Sequence, residues 1–229
     1  GERLDRDATV SVILSLGPMP HDLSALAGQP EDAVTTMLTD INIEVGESVQ
    51  EFAEPAAGTV LSATAQPVEG DAFDVSNGGT VLEGSTVILT VSLAPLPPVV
   101  EMSADAATNA LRSAGLSVSD APEEEFSDDV DSGDVIAVRG QPDGRNWRPG
   151  DTATLVVSKG PQPFPIPDVR DLTRDQASKV LKDAGFAVDF APFWNALPNG
   201  LTRVTGTDPA IGAERPLGTS VYLQITATG

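Results

Sequence analysis

An apolar strand pattern recurs four times along the chain. It reads ATVSVILSLGP to Pro18, STVILTVSLAP to Pro95, DTATLVVSKGP to Pro161 and TSVYLQITATG at the C-terminus. Aligning the four on Ser15, Ser92, Ser158 and Thr226 spaces them by 77, 66 and 68 residues. Such a period marks tandem small modules. Between the strands lies a second repeated pattern, an apolar stripe at i, i+3, i+4 and i+7. It is formed by Val34, Met37, Leu38 and Ile41, then Ala107, Ala110, Leu111 and Ala114, then Ala177, Val180, Leu181 and Ala184. That spacing is one face of an amphipathic helix, so these residues are predicted core.

The ends of the predicted helices repeat as well. Thr173 with Gln176 has capping-box spacing, Ser103 is a candidate N-cap, and Pro30 suits a first helical position. Gly115 and Gly185 fit left-handed C-caps, and Asn42 holds the same place in the first copy. A short alternating strand follows each cap, at Ile43 to Val45, Leu116 to Val118 and Phe186 to Val188. After a variable acidic or aromatic loop comes a second strand, at 60–67, 134–142 and 201–209, and then a turn punctuated by Pro and Gly. The first turn is the longest, with 71–79 inserted. The order predicts an α+β fold of tandem small modules, each one helix on a small, mainly antiparallel sheet of about three strands. The predicted boundaries are 1–18 for the closing strand of a preceding module, then modules 19–95, 96–161 and 162–229.

Taken together, the helix, the AGL or AGF turn, the short strand, the Q-x-P-x-x-G-like turn and the G-S-T-V-x-L-x-V-S closing strand resemble the PASTA module. Asn42 in place of glycine, the insertion after Gly70, and DPAIG at 208–212 depart from that pattern. PASTA modules stand outside the cell in bacterial membrane serine/threonine kinases and in some penicillin-binding proteins. The resemblance therefore implies an extracytoplasmic region, anchored by a membrane span outside this sequence. Its implied ligands are peptidoglycan fragments, muropeptides or lipid-linked wall precursors, and its implied task is kinase clustering or activation. The other reading is a non-binding spacer or septum-localising stalk, including the tail of a transpeptidase. The proline-rich linkers SLGPMP, SLAPLPP and SKGPQPFPIP predict a stiff, elongated rod and suit both readings. The isolated chain is expected to be a monomer, with ligand-induced dimerisation left to the full-length protein.

Charge narrows the partners. The net charge is −21, with no basic and twelve acidic residues in 19–95, five and twelve in 96–161, and six and seven in 162–229. A field of that sign repels nucleic acid and anionic membranes, and only the last module is near neutral. The last module also holds six of the ten aromatic residues. Its loop triplet Phe193, Trp194 and Asn195 sits between Pro192 and Pro198. An exposed ring can pack on a pyranose face while a guanidinium pairs a carboxylate. Arg203 and Arg215 are the guanidiniums the resemblance brings to this loop, with Glu214 for an amino group. Trp194 capping the module's own core is the competing reading. A second basic aromatic turn, Arg145, Trp147 and Arg148, could touch a glycan or close a joint between modules.

Catalytic chemistry finds little support. There is no cysteine and one histidine, His21, so neither a thiolate site nor a His-based dyad can be assembled from the sequence. The acidic run 123–134 misses the calcium-loop template, because from Asp129 the glycine falls at the fifth position and not the sixth. No nucleophile or phosphate-loop motif occurs. No cofactor, no metal and no catalysis by this stretch are expected.

Overall fold

In the computed structural model residues 17–228 are described, so the closing strand predicted within 1–18 lies, but for Gly17 and Pro18, outside them. The chain divides into two compact units. One holds residues up to Pro97 with 114–116 and 141–151, and the other holds 98–113, 117–140 and 152–229. The architecture is α+β, three helices on several small sheets.

In the first unit the chain runs through β1 (Pro20–Leu23), α1 (Glu31–Asp40), β2 (Glu44–Val45), β3 (Val49–Glu51), β4 (Val60–Gln66), β5 (Phe73–Asp74), β6 (Gly79–Leu82) and β7 (Thr86–Ser92). The closing strand β7 is the middle of its sheet. It pairs antiparallel with β4 and parallel with both β2 and β3. The acidic loop expected after the helix is thus partly a strand, β3, laid along the second half of β7. The insertion also has structure: β5 extends the sheet beside β4, and β6 pairs with β1. Val34 and Leu38 of α1 are fully buried against Val60, Val87 and Leu89. Burying a side chain of that size contributes roughly 1.5–3 kcal/mol.

The second unit repeats the plan. Its elements are α2 (Ala104–Ser113), β8 (Ser117–Val118), β9 (Glu123–Glu125), β10 (Val135–Arg139), β11 (Thr152–Ser158), β12 (Pro163–Pro165), α3 (Arg174–Asp183), β13 (Ala187–Asp189), β14 (Thr202–Asp208), β15 (Glu214–Pro216) and β16 (Ser220–Ala227). β11 is parallel to β8 and β9 and antiparallel to β10. β16 is parallel to β13 and antiparallel to β14. The three antiparallel ladders between a second strand and its closing strand, β4–β7, β10–β11 and β14–β16, carry an irregularity at the same place, after Val60, Val135 and Val204. Each of those valines is buried to 1% exposure or less. A bulge there adds twist while keeping the next buried side chain aimed at the helix.

Helix ends follow the sequence closely, with small shifts. Asn42, Gly115 and Gly185 adopt φ of 58°, 92° and 89°. Around α1 the amide of Ile43 donates to Leu38 O and that of Asn42 to Thr39 O; around α3 Phe186 donates to Leu181 O and Gly185 to Lys182 O. This paired arrangement satisfies carbonyls that the helix end leaves free. Pro30 caps α1 from outside and does not open it, its carbonyl accepting from Ala33 and Val34. The Thr173 amide donates to Gln176 Oε1 at 3.1 Å. First-turn amides of α3 go instead to other partners, Arg174 N to Thr202 Oγ1 and Asp175 N to Asn199 Oδ1. Val180 is a correction: predicted core, it stands 37% exposed at the edge of the stripe, while Ala177 and Leu181 are fully buried.

The basic aromatic turn 141–151 belongs to the first unit. Trp147 is buried, at 7% exposure, and its carbonyl accepts from Phe52 N at 2.8 Å. Arg148 Nε and Nη2 donate to Glu51 Oε1 at 3.0 and 2.7 Å, and Asn146 Nδ2 donates to Glu51 Oε2 at 3.2 Å. Glu51 is 8% exposed, so this pairing is what permits the carboxylate to be there. Of the two readings of this turn, the joint is the one with contacts. Arg145 forks onto Asp151 at 2.7 Å on both oxygens, and the Arg148 amide donates to Asp151 Oδ2 at 2.8 Å. The acids of β9 are likewise paired, Glu123 and Glu125 sharing Arg139 and Glu124 meeting Lys159. Among the described residues no group of acidic or histidine side chains is placed to hold a metal.

Two tests follow from these local geometries. A valine at 185 must take a left-handed φ, and its Cβ would sit 3.0 Å from Leu217 Cδ2. Gly185→Val is expected to lower stability by about 1–3 kcal/mol, and Asn42→Gly to change it by less than about 0.5 kcal/mol. Equal shifts in thermal unfolding would contradict the cap geometry. The fork from Arg145 holds the Asp151 carboxyl down to about 2. A carboxyl depressed below its unfolded value of about 3.9 contributes stability above that value, which is lost as pH falls through the folded value. In urea unfolding followed by Trp147 fluorescence, with Trp194→Phe to remove the second signal, Asp151→Asn should be destabilising at pH 7. The deficit should narrow below about pH 4 and close near pH 2; a deficit unchanged with pH would contradict the ion pair.

Candidate ligand-binding site

The aromatic loop of the last module folds as a tight turn of 3-10 helix, Pro192–Ala196, in which Pro192 supplies a preset φ. Phe193 is 63% exposed and Trp194 half-buried, their ring centroids 4.6 Å apart and tilted by 36°. This separation is that of an attractive tilted aromatic pair. The pair thus presents one ring to solvent with the other as its backing.

The guanidinium that reaches this turn is Arg174, the first residue of α3. Its Nη1 donates to the Trp194 carbonyl, its Nε donates to Asp175 Oδ1 at 2.9 Å, and its charged carbon lies 5.7 Å from the centre of the Phe190 ring. Only 12% of the side chain is exposed, so it works as a strut between helix and turn. Beside it, along the outer face of α3, opens a groove of about 480 Å³ lined by Arg174, Asp175, Ser178, Lys179, Lys182, Asp183, Phe190 and Asn195, in which Asp175 is paired with Arg174. Lys179 is tied to Asp183 at 2.6 Å. Lys182, one helical turn on, is exposed and makes no ion pair among the described residues. The groove therefore offers an ammonium, an amide and an aromatic edge together, a set suited to an anionic ligand with a flat apolar face.

The other predicted residues stand on different elements. Arg203 is on β14, its Nη1 donating to the carbonyls of Gly200 and Thr202 at 3.3 and 2.8 Å. Glu214 and Arg215 are on β15, which pairs with β12 in the register Phe164 to Arg215 and Pro165 to Glu214. β15 follows the far end of β14, a strand of seven residues or about 20 Å. Of the six, the structure groups Phe193, Trp194 and Asn195 and leaves Arg203, Glu214 and Arg215 on separate strands. Arg174, Lys182 and Phe190 were not singled out from sequence. For Lys182 the signal was its place with Lys179 on the side of α3 away from Ala177 and Leu181; Arg174 shares the face of those two residues and Phe190 lies beyond the helix, so neither carried that signal.

The PASTA domain family model matches residues 95–159 and 164–226. The protein named "Probable serine/threonine-protein kinase PknB" of Corynebacterium glutamicum is 27% identical over 203 residues, covering 87% of this chain and 29% of that protein. Serine/threonine-protein kinase PknB of Mycolicibacterium smegmatis is 33% identical over 138 residues, covering 56% of this chain and 22% of that protein. This chain thus spans less than a third of the length of these relatives. Among solved structures, the three-PASTA-domain part of a Ser/Thr kinase from Staphylococcus aureus matches at 15% identity over 88% of this chain and 96% of that one, with a TM-score of 0.38. With the family model covering more than half of its residues, the chain belongs to the PASTA domain family.

Proposed function

We propose that this chain is the wall-sensing region of a bacterial membrane serine/threonine kinase, standing on the extracytoplasmic side and anchored by a span outside this sequence. No helix among the described residues is long and apolar enough to cross a membrane. Residues 19–95 are read as a further, diverged copy of the module, because β2, β4, β7 and α1 repeat the pairing and the buried positions of the two matched copies. The ligand class is peptidoglycan fragments or lipid-linked precursors, and occupancy is coupled to kinase clustering or activation.

The observation that carries this reading is the groove beside α3, where Lys182, which makes no ion pair among the described residues, meets Asn195 and the Phe190 ring in the one module that is close to neutral, with the exposed Phe193 ring on the adjoining turn. A pyranose face would pack on Phe193, and a carboxylate or phosphate would meet Lys182. Arg174 and Trp194 hold the turn in place. Arg203, Glu214 and Arg215 join only for a ligand long enough to extend onto β14 and β15.

Affinity should be modest, on the order of micromolar to millimolar, or about −8 to −4 kcal/mol. Titrating the whole chain with a soluble muropeptide while following amide chemical shifts is expected to move Lys182, Phe190 and the residues 193–195. A Lys182→Ala, Phe193→Ala double variant should weaken binding by at least about tenfold, a loss of 1.4 kcal/mol. An absence of shifts anywhere would favour a spacer, and shifts confined to 19–95 would move the site.

A further inference from the structure

A second groove, of about 310 Å³, opens in the first unit between the legs of the turn that joins β4 to β7. Pro67, Val68 and Leu82 form apolar walls, and Val68 and Leu82 are 78% and 43% exposed. Glu69 and Glu83 flank it. Ser85, also in its lining, is 1% exposed. The Ser85 amide donates to Leu82 O and its carbonyl accepts from Glu44 N, but its Oγ is buried with no hydrogen-bond partner among the described residues. A buried hydroxyl left unmet is a cost that a native fold rarely carries without a reason.

The turn at 141–151 shows what that reason can be. Asp151 occupies the place of Ser85, since each is followed by the residue that opens the closing strand and pairs with the strand after the helix, Thr86 with Glu44 and Thr152 with Ser117. Buried Trp147 likewise stands where buried Val81 does, four residues before. In that turn a guanidinium fills the position, Arg145 forking onto Asp151. In the first module the matching residue is Gly79, and 19–95 contains neither Lys nor Arg. The walls, the flanking acids and the polar floor are there without a cation of the module's own.

We propose that this groove receives an arginine side chain presented by a partner polypeptide. The aliphatic stem packs on Pro67, Val68 and Leu82, and the guanidinium lies between Glu69 and Glu83. One of its N–H groups donates to Ser85 Oγ. Glu83 keeps an oxygen for this, because Asn42 Nδ2 donates only to Oε1. Carboxylates on both sides of a guanidinium give charge-assisted bonds, and a stem of three methylenes suits a slot with apolar walls. The twelve acids of the module, with no base among them, draw a cationic partner to this side of the chain.

The test uses the full chain and the peptide acetyl-Gly-Arg-Gly-amide, with the citrulline peptide as a neutral control of the same shape. Amide shifts are followed at about 0.15 M salt, where diffuse attraction is screened beyond about 8 Å. The arginine peptide should shift Val68, Leu82 and Ser85 saturably, and the citrulline peptide should bind at least about tenfold more weakly. Glu69→Gln with Glu83→Gln should reduce affinity by a similar factor. Ser85→Ala should reduce it about threefold while the β4 amides stay in place, showing an intact fold. Equal binding of the two peptides, or small shifts spread over every acidic residue of 19–95, would overturn the proposal. Since the groove beside α3 is in a different module, a failure here leaves the wall-ligand reading untouched, and the reverse.

Discussion

Each copy of the module depends on a backbone constraint two residues after its helix ends. At Asn42, Gly115 and Gly185 the chain takes a left-handed conformation, and the carbonyl of that residue accepts from the glycine just before the closing strand: Gly84, Gly150 and Gly218, at 3.2, 2.8 and 2.8 Å. That bond starts the parallel pairing of the strand after the helix with the closing strand. It carries Glu44 onto Thr86, Ser117 onto Thr152 and Ala187 onto Ser220. The closing strand is thereby held in the middle, with its buried side facing the helix. Short helices and short strands have little stability alone, so this repeated link between local geometry and long-range pairing is what makes so small a core cooperative.

On that common frame the exposed positions differ from copy to copy. In the turn after the second strand, one copy carries Ser85 flanked by Glu69 and Glu83, another closes on itself through Arg145 and Asp151, and the third is tied by Thr219 Oγ1 donating to Pro216 O. Of the three described α-helices, α3 is the one that places beside an aromatic turn a lysine with no ion pair among the described residues. Similar backbones thus present an acidic slot, an internal ion pair and a cationic groove. This explains how a chain of net charge −21 can keep one face suited to an anionic ligand.

Much of the frame was legible in the sequence because it rests on residues with narrow roles. The stripe around Leu38, Leu111 and Leu181 and the positive-φ caps could be placed from spacing alone. The loop before each second strand could not, since Val49–Glu51 and Glu123–Glu125 become strands only through pairing with β7 and β11, and Glu123–Glu125 shows no apolar alternation. The candidate site was half legible. Exposed aromatics between prolines marked the turn at Phe193 and Trp194, but which arginine reaches it is a matter of tertiary placement. Arg174 is near in space and 20 residues away in sequence, whereas Arg203 is nearer in sequence and uses its guanidinium on local carbonyls. Trp147 was ambiguous for the same reason, its burial depending on Phe52 and on the Glu51 pairing to Arg148.

If the closing strand is the centre on which every copy is built, its amides should be the last to open. Native-state hydrogen exchange measures this directly. The expected result is slowest exchange along Val87 to Val91, Ala153 to Val157 and Val221 to Leu223, with β5, β13 and the strands of the β1–β6 ribbon exchanging earlier. Exchange from β7, β11 and β16 at the rate of those edge strands, or slowest protection residing in the helices alone, would contradict the account.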